Sequence, residues 1–488
     1  MKNALLNKDK DLRARILLIG CGPHALRIYL SALKNSWDKI GTELKAVVEL
    51  QNKKEETVLI VDKYFANVEY IFVKPFTSST KLPPLVQKKL NTIVKKNEIN
   101  GVIIATDPLN HIQYALWAAD QGLHVLMDKP ISARPNAANS IHDARSIATD
   151  FNLLQSVRQL DKAFIINSQR RYLPGHQIVQ KKVNEIAEKY GMPVTSMQST
   201  HCDGQFRLPN EIISLNYHGY HGCGVVSHSG YHFIDISNLI TESSFKKAGK
   251  KIDKLSVFSQ FIRPSGLLKQ QNQEDFKKLF SNYNDVDSQT DEQIAKSYAE
   301  MNEAEVDAFS SITYYSEDVP VSNTTLNLTH NGFSRRSTLL PNMKDLYKGN
   351  GRLRHEYHNI QQGPLQNIQI HSYQSKSEQN GINTDSDFEL GGNNHFDIYI
   401  FKNSGLIGGK ALETISARDF SKEYKLDETK LTNELARHRA LDEFIEVING
   451  KRKNNETTSD LSKHRFASQI MSLIYQSGIY NEVVYVDL

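Results

Sequence analysis

The sequence is poor in cysteine: Cys21, Cys202 and Cys223 are all it has, and none stands in a Cys-x-x-Cys pair. Three thiols cannot build a disulfide framework, and this spacing excludes the paired-cysteine zinc and redox motifs. Long apolar runs are missing too, none approaching the roughly 18–20 residues that cross a bilayer. The opening MKNALLNKDKDLRAR is polar, without the apolar centre of a secretory signal. Charge of one sign is also scarce, with 59 basic against 55 acidic side chains and a formal net charge of +4. That balance offers nucleic acid no concentrated basic face, and pairs such as Lys53-Lys54 and Lys95-Lys96 read as solvated surface. These absences point to a cytoplasmic chain with no nucleic acid or membrane partner.

What is present is an ordered alternation. Arg15-Ile16-Leu17-Leu18-Ile19 is a short apolar run ending at Gly20, as a strand buried on both faces requires. Ala25, Ile28, Tyr29, Ala32 and Leu33 follow at helical spacing, and further strand-like runs stand at Leu44 to Val48, Val102 to Ala105, His124 to Met127 and Phe164 to Ile166. The polar stretches between the second and third runs have helix-compatible periodicity. Strand–helix alternation predicts a doubly wound parallel sheet over 1–168. Beyond it, Leu326-Asn327-Leu328, Ile368-Gln369-Ile370 and Phe396 to Ile400 alternate with the period of half-buried strands. Residues 169–488 therefore read as an α+β domain with a large, mainly antiparallel open sheet and polar surface insertions near 265–300 and 374–394. Leu441, Phe444, Ile445 and Ile448 predict a helix stopped at Gly450, and Phe466, Ile470, Leu473 and Ile474 a last one.

The segment Gly20-Cys21-Gly22-Pro23-His24-Ala25 lies between a strand and a helix. The first glycine permits a tight turn, the second lets backbone approach a pyrophosphate, and small Ala25 allows helix–strand packing. The helix N-terminus adds amide donors and a partial positive charge, and Pro23 fits the first turn. Glu49 ends the next strand, where a carboxylate can take the adenosine ribose hydroxyls and repel a 2′-phosphate. This favours NAD, although Lys53 and Lys54 nearby keep NADP as an alternative.

Three further motifs carry a family resemblance. They are Thr106-Asp107-Pro108-Leu109-Asn110-His111 leading to Gly122-Leu123-His124-Val125-Leu126-Met127-Asp128-Lys129-Pro130; Asn167-Ser168-Gln169-Arg170-Arg171-Tyr172-Leu173-Pro174; and Gly222-Cys223-Gly224 running to His228-Ser229-Gly230-Tyr231-His232-Phe233-Ile234-Asp235. Together the set resembles the glucose–fructose oxidoreductase and inositol dehydrogenase family, Gfo/Idh/MocA. The resemblance implies a Rossmann domain, a substrate sheet domain, an active site between them, and homodimers or homotetramers formed through the open face of the second sheet. It implies cofactor contacts from Gly20, Cys21, Gly22, Pro23, His24, Glu49, Thr106, Asp107, Pro108, His111, Asp128 and Lys129.

Oxidising a carbinol needs a cation beside the developing alkoxide and a group that can take the proton. Lys129 is the natural cation and His232 the natural acid/base, since imidazole titrates near neutrality; these are also the positions of the family's catalytic lysine and histidine. The sequence departs from the family pattern twice, with Asp128 for the usual glutamate and His228 for the usual aspartate. Four residues from His232, His228 shares its face if the segment is helical, and it is a second candidate for proton transfer. Arg170, Arg171, Tyr172, His228 and Tyr231 are candidate substrate contacts, and either arginine could instead anchor the domain junction. His201 and Cys202, read as following a strand, could line the same cleft. A zinc reading of His218-x-x-His221 with His228 and His232 lacks a cysteine pair, so no metal is expected. The function expected is NAD(P)-dependent hydride transfer at a hydroxyl or carbonyl of a sugar, inositol or sugar nucleotide. The alternatives are a cofactor-binding protein without turnover and an imine reductase.

Overall fold

The computed structural model describes residues 13–36, 41–76, 80–214, 224–337, 339, 351–375, 387–424 and 432–488. His218, His221, Gly222 and Cys223, the polar N-terminal stretch 1–12 and residues 376–386 of the 374–394 insertion lie outside the described residues. The chain divides into two compact units. The first comprises Met1–Ala133, Ile147–Leu173 and Thr432–Ser468, and the second Arg134–Ser146, Pro174–Leu431 and Gln469–Leu488.

In the first unit, the apolar runs become β1 (Ala14–Ile19), β2 (Thr42–Leu50), β4 (Gly101–Ile104), β5 (His124–Asp128) and β6 (Phe164–Asn167), with one more strand, β3 (Glu69–Val73). All pair in parallel, in the order β3-β2-β1-β4-β5-β6. Ile16, Leu17, Leu18 and Ile19 are fully buried, which explains why β1 reads as an unbroken apolar run. Strand β3 is harder to read because it is an edge, with Ile71 and Val73 alone buried among its five residues. Sheet order reverses between β1 and β4, which opens a crevice at the carboxyl ends of those strands. The helix Thr432–Ile448 completes this core: Ala436, Ala440, Leu441, Phe444, Ile445 and Ile448 cluster with Ile16, Leu18, Ile103, Leu126 and Ile165.

The second unit holds a nine-stranded sheet. Its members are β7 (Ser196–Gln205), β8 (Lys254–Ile262), β9 (Asp307–Ser316), β10 (Val319–Asn331), β11 (Leu353–Gln362), β12 (Gln366–Ser375), β13 (Asp397–Lys402), β14 (Leu412–Ser416) and β15 (Val484–Asp487), in the order β14-β13-β12-β11-β7-β10-β9-β8-β15. Every pairing is antiparallel except β7 with β10. Helices Pro174–Tyr190 and Tyr231–Lys247 cover one face, where Val179, Val183, Ile236 and Ile240 meet Met197, Ile360, Ile368, Ile370, Ile398 and Ile400. His201 and Cys202 lie inside β7 rather than after it, which corrects the sequence reading; their strand continues because both are buried and paired on each side.

The polar stretch near 265–300 is more structured than its composition suggests. It forms helices Pro264–Gln270, Gln273–Leu279, Tyr283–Val286 and Asp291–Glu300, with capping boxes at Asn272/Asp275 and Thr290/Gln293. Widely spaced apolar residues suffice for two small cores, Phe276, Phe280 and Tyr283 with Leu208, and Ile294 and Tyr298 with Ile212 and Val306.

Candidate functional site

The glycine turn stands at the end of β1, beside the strand-order reversal. Gly20 has φ +90°, and a Cβ there would fall 2.6 Å from the Ala105 carbonyl oxygen, so this turn requires glycine. Gly22 is different: its backbone is extended (φ −70°, ψ 178°) and a Cβ would meet nothing within 4 Å. The open space above Gly22 fits close approach of a ligand, as a pyrophosphate needs. The following helix runs in three segments, Pro23–Ala25, a wider π turn Leu26–Leu30, and Ser31–Ser36. Its first turn offers amide donors at the same place.

Glu49, half-buried at the end of β2, closes one side of the turn. Its Oε2 accepts from the Cys21 amide at 2.6 Å and its Oε1 from the Leu50 amide at 2.7 Å. Burial and the Glu49 charge push the Cys21 thiol up to about 12, so it stays protonated at neutral pH. Of the nearby lysines, Lys53 pairs with Glu56 at 3.2 Å and Lys54 stands 6.0 Å from the Phe72 ring centroid.

On the other side of the crevice, Asp128 ends β5. The Tyr29 hydroxyl donates to Asp128, and the Asn167 amide donates to that hydroxyl at 2.7 Å. His24 Nε2 lies 3.4 Å from Asp128 Oδ2. Burial raises the pKa of Asp128, but His24, Tyr29 and His111 together outweigh it and hold the carboxyl below its ordinary value. Lys129 follows at once, beside a permanent negative charge. His111 is fully buried: Nδ1 lies 2.8 Å from the Pro130 carbonyl oxygen and Nε2 3.2 Å from that of Thr106. Burial lowers its pKa against the opposing pull of Pro130, Asp128 and Thr106, and the ring stands between the segment after β5 and the end of β4. Asp107 caps the turn Pro108–Asn110, its carboxylate accepting from the Leu109 amide at 2.9 Å.

Arg170, Arg171 and Tyr172 form a buried 3₁₀ turn in the first unit. Arg171 donates to the Lys463 carbonyl at 2.7 Å and the Tyr172 hydroxyl to Glu443 at 3.0 Å, so these two polar ends fasten the returning segment Thr432–Ser468.

In the second unit, His228 lies in a π turn Val226–Gly230 and His232 in the first turn of Tyr231–Lys247. The helical geometry expected for this pair is present. His232 is buried and His228 half-buried, while Tyr231 is buried in the core. Sequence reading missed the group that holds this segment, Glu305. Fully buried, its Oε1 accepts from the Gly224 amide at 2.8 Å, the Val226 amide at 3.0 Å and the Tyr475 hydroxyl at 2.9 Å. Ala304-Glu305-Val306 carries no local signal beyond one acid among apolar neighbours. From the same segment, Ser229 Oγ donates to Asp203 at 3.3 Å. Asp203 takes Arg352 at 2.6 Å and lies 3.4 Å from both His201 and His330. Burial opposes its charge most strongly, yet Arg352 and the two histidines keep this carboxyl well below its usual range. His201 stacks on Phe233, with centroids 4.2 Å apart.

Burial pushes the Glu305 carboxyl up to about 7 from its ordinary 4.5. A raised folded-state value contributes stability that is complete below about pH 4.5 and is lost as pH rises through about 7. Glu305→Gln keeps the acceptor oxygen and removes this titration. Its stability relative to the native chain should therefore rise by on the order of 3 kcal/mol between acid and alkaline sides of that range. Denaturant unfolding across the range measures it, and a pH-independent difference would contradict the assignment.

Among the described residues, His176, Glu356 and His358 have metal-competent atoms within 4.8 Å of one another. The two imidazole Nε2 atoms lie 3.0 and 2.9 Å from the same Glu356 oxygen, an arrangement that two N–H donors on one carboxylate also satisfy.

Comparison with known proteins agrees with this fold. No curated protein matches the sequence. Among solved structures, an oxidoreductase from Agrobacterium radiobacter in complex with NAD+, L-tartaric acid and magnesium is 12% identical, with TM-score 0.55, covering 97% of this chain and 98% of that one. The apo scyllo-inositol dehydrogenase from Lactobacillus casei is 13% identical, with TM-score 0.52 and coverage of 97% and 98%. A levoglucosan dehydrogenase in complex with NADH and levoglucosan is 12% identical, with TM-score 0.57 and coverage of 97% and 99%. These likenesses extend the shared fold through both units. The profile of the Gfo/Idh/MocA family, described as an oxidoreductase family with an NAD-binding Rossmann fold, matches residues 14–147. Over that stretch the chain is similar to the NAD-binding Rossmann part of the Gfo/Idh/MocA family.

Proposed function

We propose that the protein is an NAD-dependent dehydrogenase or reductase acting on a hydroxyl or carbonyl of a sugar or polyol. The observation that carries this reading is the set of groups around the strand-order reversal: the open Gly22 turn, Glu49 beside it, and Asp128-Lys129 at the end of β5. Bound NAD supplies the hydride acceptor, and its reduced form the donor. Gly20, Cys21, Gly22, Pro23 and His24 cradle the pyrophosphate. Glu49 takes the ribose hydroxyls, and its charge disfavours a 2′-phosphate, which supports NAD over NADP. Thr106, Asp107 and Pro108 border the crevice, and His111 positions the Pro130 carbonyl.

In the chemical step Lys129 stabilises the oxygen as its proton departs, and Asp128, held ionised, keeps the ammonium charged. His232 takes the proton, with His228 on the same helical stretch as a substrate contact or second proton acceptor. Arg171 and Tyr172 are assigned to the fold rather than to substrate, because their polar ends are engaged with Lys463 and Glu443. No helix among the described residues is long and apolar enough to cross a membrane. With the scarce cysteines, this supports a cytoplasmic location. The half-buried face of the second sheet, with Asn323, Asn359, Asn367 and Gln369, supports pairing with a second copy.

The test is a spectrophotometric assay of the full chain with NAD+ and with NADP+ against scyllo-inositol, levoglucosan and L-sorbose. Multiple turnovers, faster with NAD+, are expected with at least one compound of this class. Nucleotide binding without any turnover across a wider polyol and ketose panel would overturn the catalytic reading and leave a dinucleotide-binding regulator.

A further inference from the structure

A second candidate site lies within the second unit, where β7 ends. There a cavity of about 510 Å³, within the size range of small-molecule pockets, is lined by Phe206, Arg207, Leu267, Leu268, Tyr298 and Asn331, among others. Arg207 is only 3% exposed, and its Nε, Nη1 and Nη2 have no hydrogen-bond partner among the described residues. A guanidinium carries five donors, and burying it unpaired is unfavourable unless something else supplies acceptors.

The charges around Arg207 show why it is the unpaired one. Arg336 is held in a fork by Glu211, at 2.8 and 2.7 Å, and Arg352 by Asp203 at 2.6 Å. Three arginines thus share two carboxylates that are already engaged, and one positive charge remains. Asp275, which also lines the cavity, is paired with Lys278 at 2.8 Å. Asn331 accepts from the Arg207 amide at 3.1 Å, which fixes the backbone rather than the side chain. Of the other walls, Phe206, Pro209, Ile212, Leu267, Leu268 and Phe276 are apolar, whereas Gln270, Gln271 and Tyr298 bring polar groups that can serve a polar ligand edge.

We propose that this cavity is a binding site for a small organic anion, whose carboxylate or phosphate is taken by the Arg207 guanidinium and whose apolar body lies against Phe206, Leu267 and Leu268. A planar fork suits both head groups, and both would supply the missing acceptors. The inference does not depend on the hydride-transfer reading, since it involves neither nucleotide nor turnover.

Calorimetry and thermal unfolding of the full chain in a buffer without small oxyanions test it, with benzoate, phenyl phosphate and neutral benzyl alcohol as probes. The native chain should bind at least one anionic probe and melt higher with it, and benzyl alcohol should bind far more weakly. Benzoate alone assigns the site to carboxylates, and phenyl phosphate alone to phosphate esters. Arg207→Met should melt no lower than the native chain without probe, because an uncompensated buried charge is gone, and should lose about tenfold or more in affinity for the anion. Arg207→Lys, which keeps charge but not the fork, should fold and bind with intermediate affinity. Absence of binding of either anion to the native chain, or equal binding by the native, methionine and lysine forms, overturns the proposal.

Discussion

Replacing Lys129 with methionine should reduce turnover about a thousandfold while changing nucleotide affinity by no more than about threefold. Methionine keeps the length and much of the volume of the stem and removes the ammonium. The neighbouring carboxylate is untouched: Tyr29 and His24 still hold Asp128, and Asn167 still holds Tyr29. What is lost is charge stabilisation of the oxygen in the transition state, an effect on kcat more than on binding. Steady-state kinetics on the accepted substrate, with NADH affinity measured separately, checks both halves. Retention of a tenth or more of native kcat, on the order of 1 kcal/mol of barrier, would remove Lys129 from the reaction.

The second large effect separates two glycines only one residue apart. Gly20→Ala adds a Cβ at φ +90°, within 2.6 to 2.8 Å of Ala105 O, Ala105 C and Thr106 N. These are backbone atoms of the neighbouring strand end and cannot swing aside. The variant should lose on the order of 3 kcal/mol of stability and bind nucleotide poorly. Gly22→Ala adds the same methyl where nothing lies within 4 Å and the backbone conformation suits alanine. Its melting temperature should match the native value, whereas NAD affinity should fall by about tenfold or more because the methyl fills space assigned to pyrophosphate. Parallel melting curves and titrations on the two variants distinguish turn geometry from ligand contact.

The parallel sheet was legible because its central strands are buried on both faces: β1, β4, β5 and β6 each carry a short unbroken apolar run, and β2 one that only Lys45 interrupts. Edge strand β3, with two buried residues, has too little pattern. The helix Thr432–Ile448 was readable from its stripe, but a stripe does not name its partner. Only the fold shows Phe444 and Ile448 packed against the Rossmann core. Around the candidate site, the turn, Glu49 and Asp128-Lys129 were readable because spacing along a strand–turn–helix fixes them in space. Glu305 was not, because the amides it receives are about eighty residues away in sequence, at Gly224 and Val226. Arg207 was not either, since an unpaired guanidinium is defined by where Glu211 and Asp203 have already gone.

The central claim is that the turn after β1 binds a nicotinamide dinucleotide, and titration of NADH into the full chain tests it most directly. The account predicts saturable binding of one NADH per chain, reversed by NAD+ and weakened by Gly22→Ala. No binding of either nucleotide, or binding indifferent to Gly22→Ala, would contradict it.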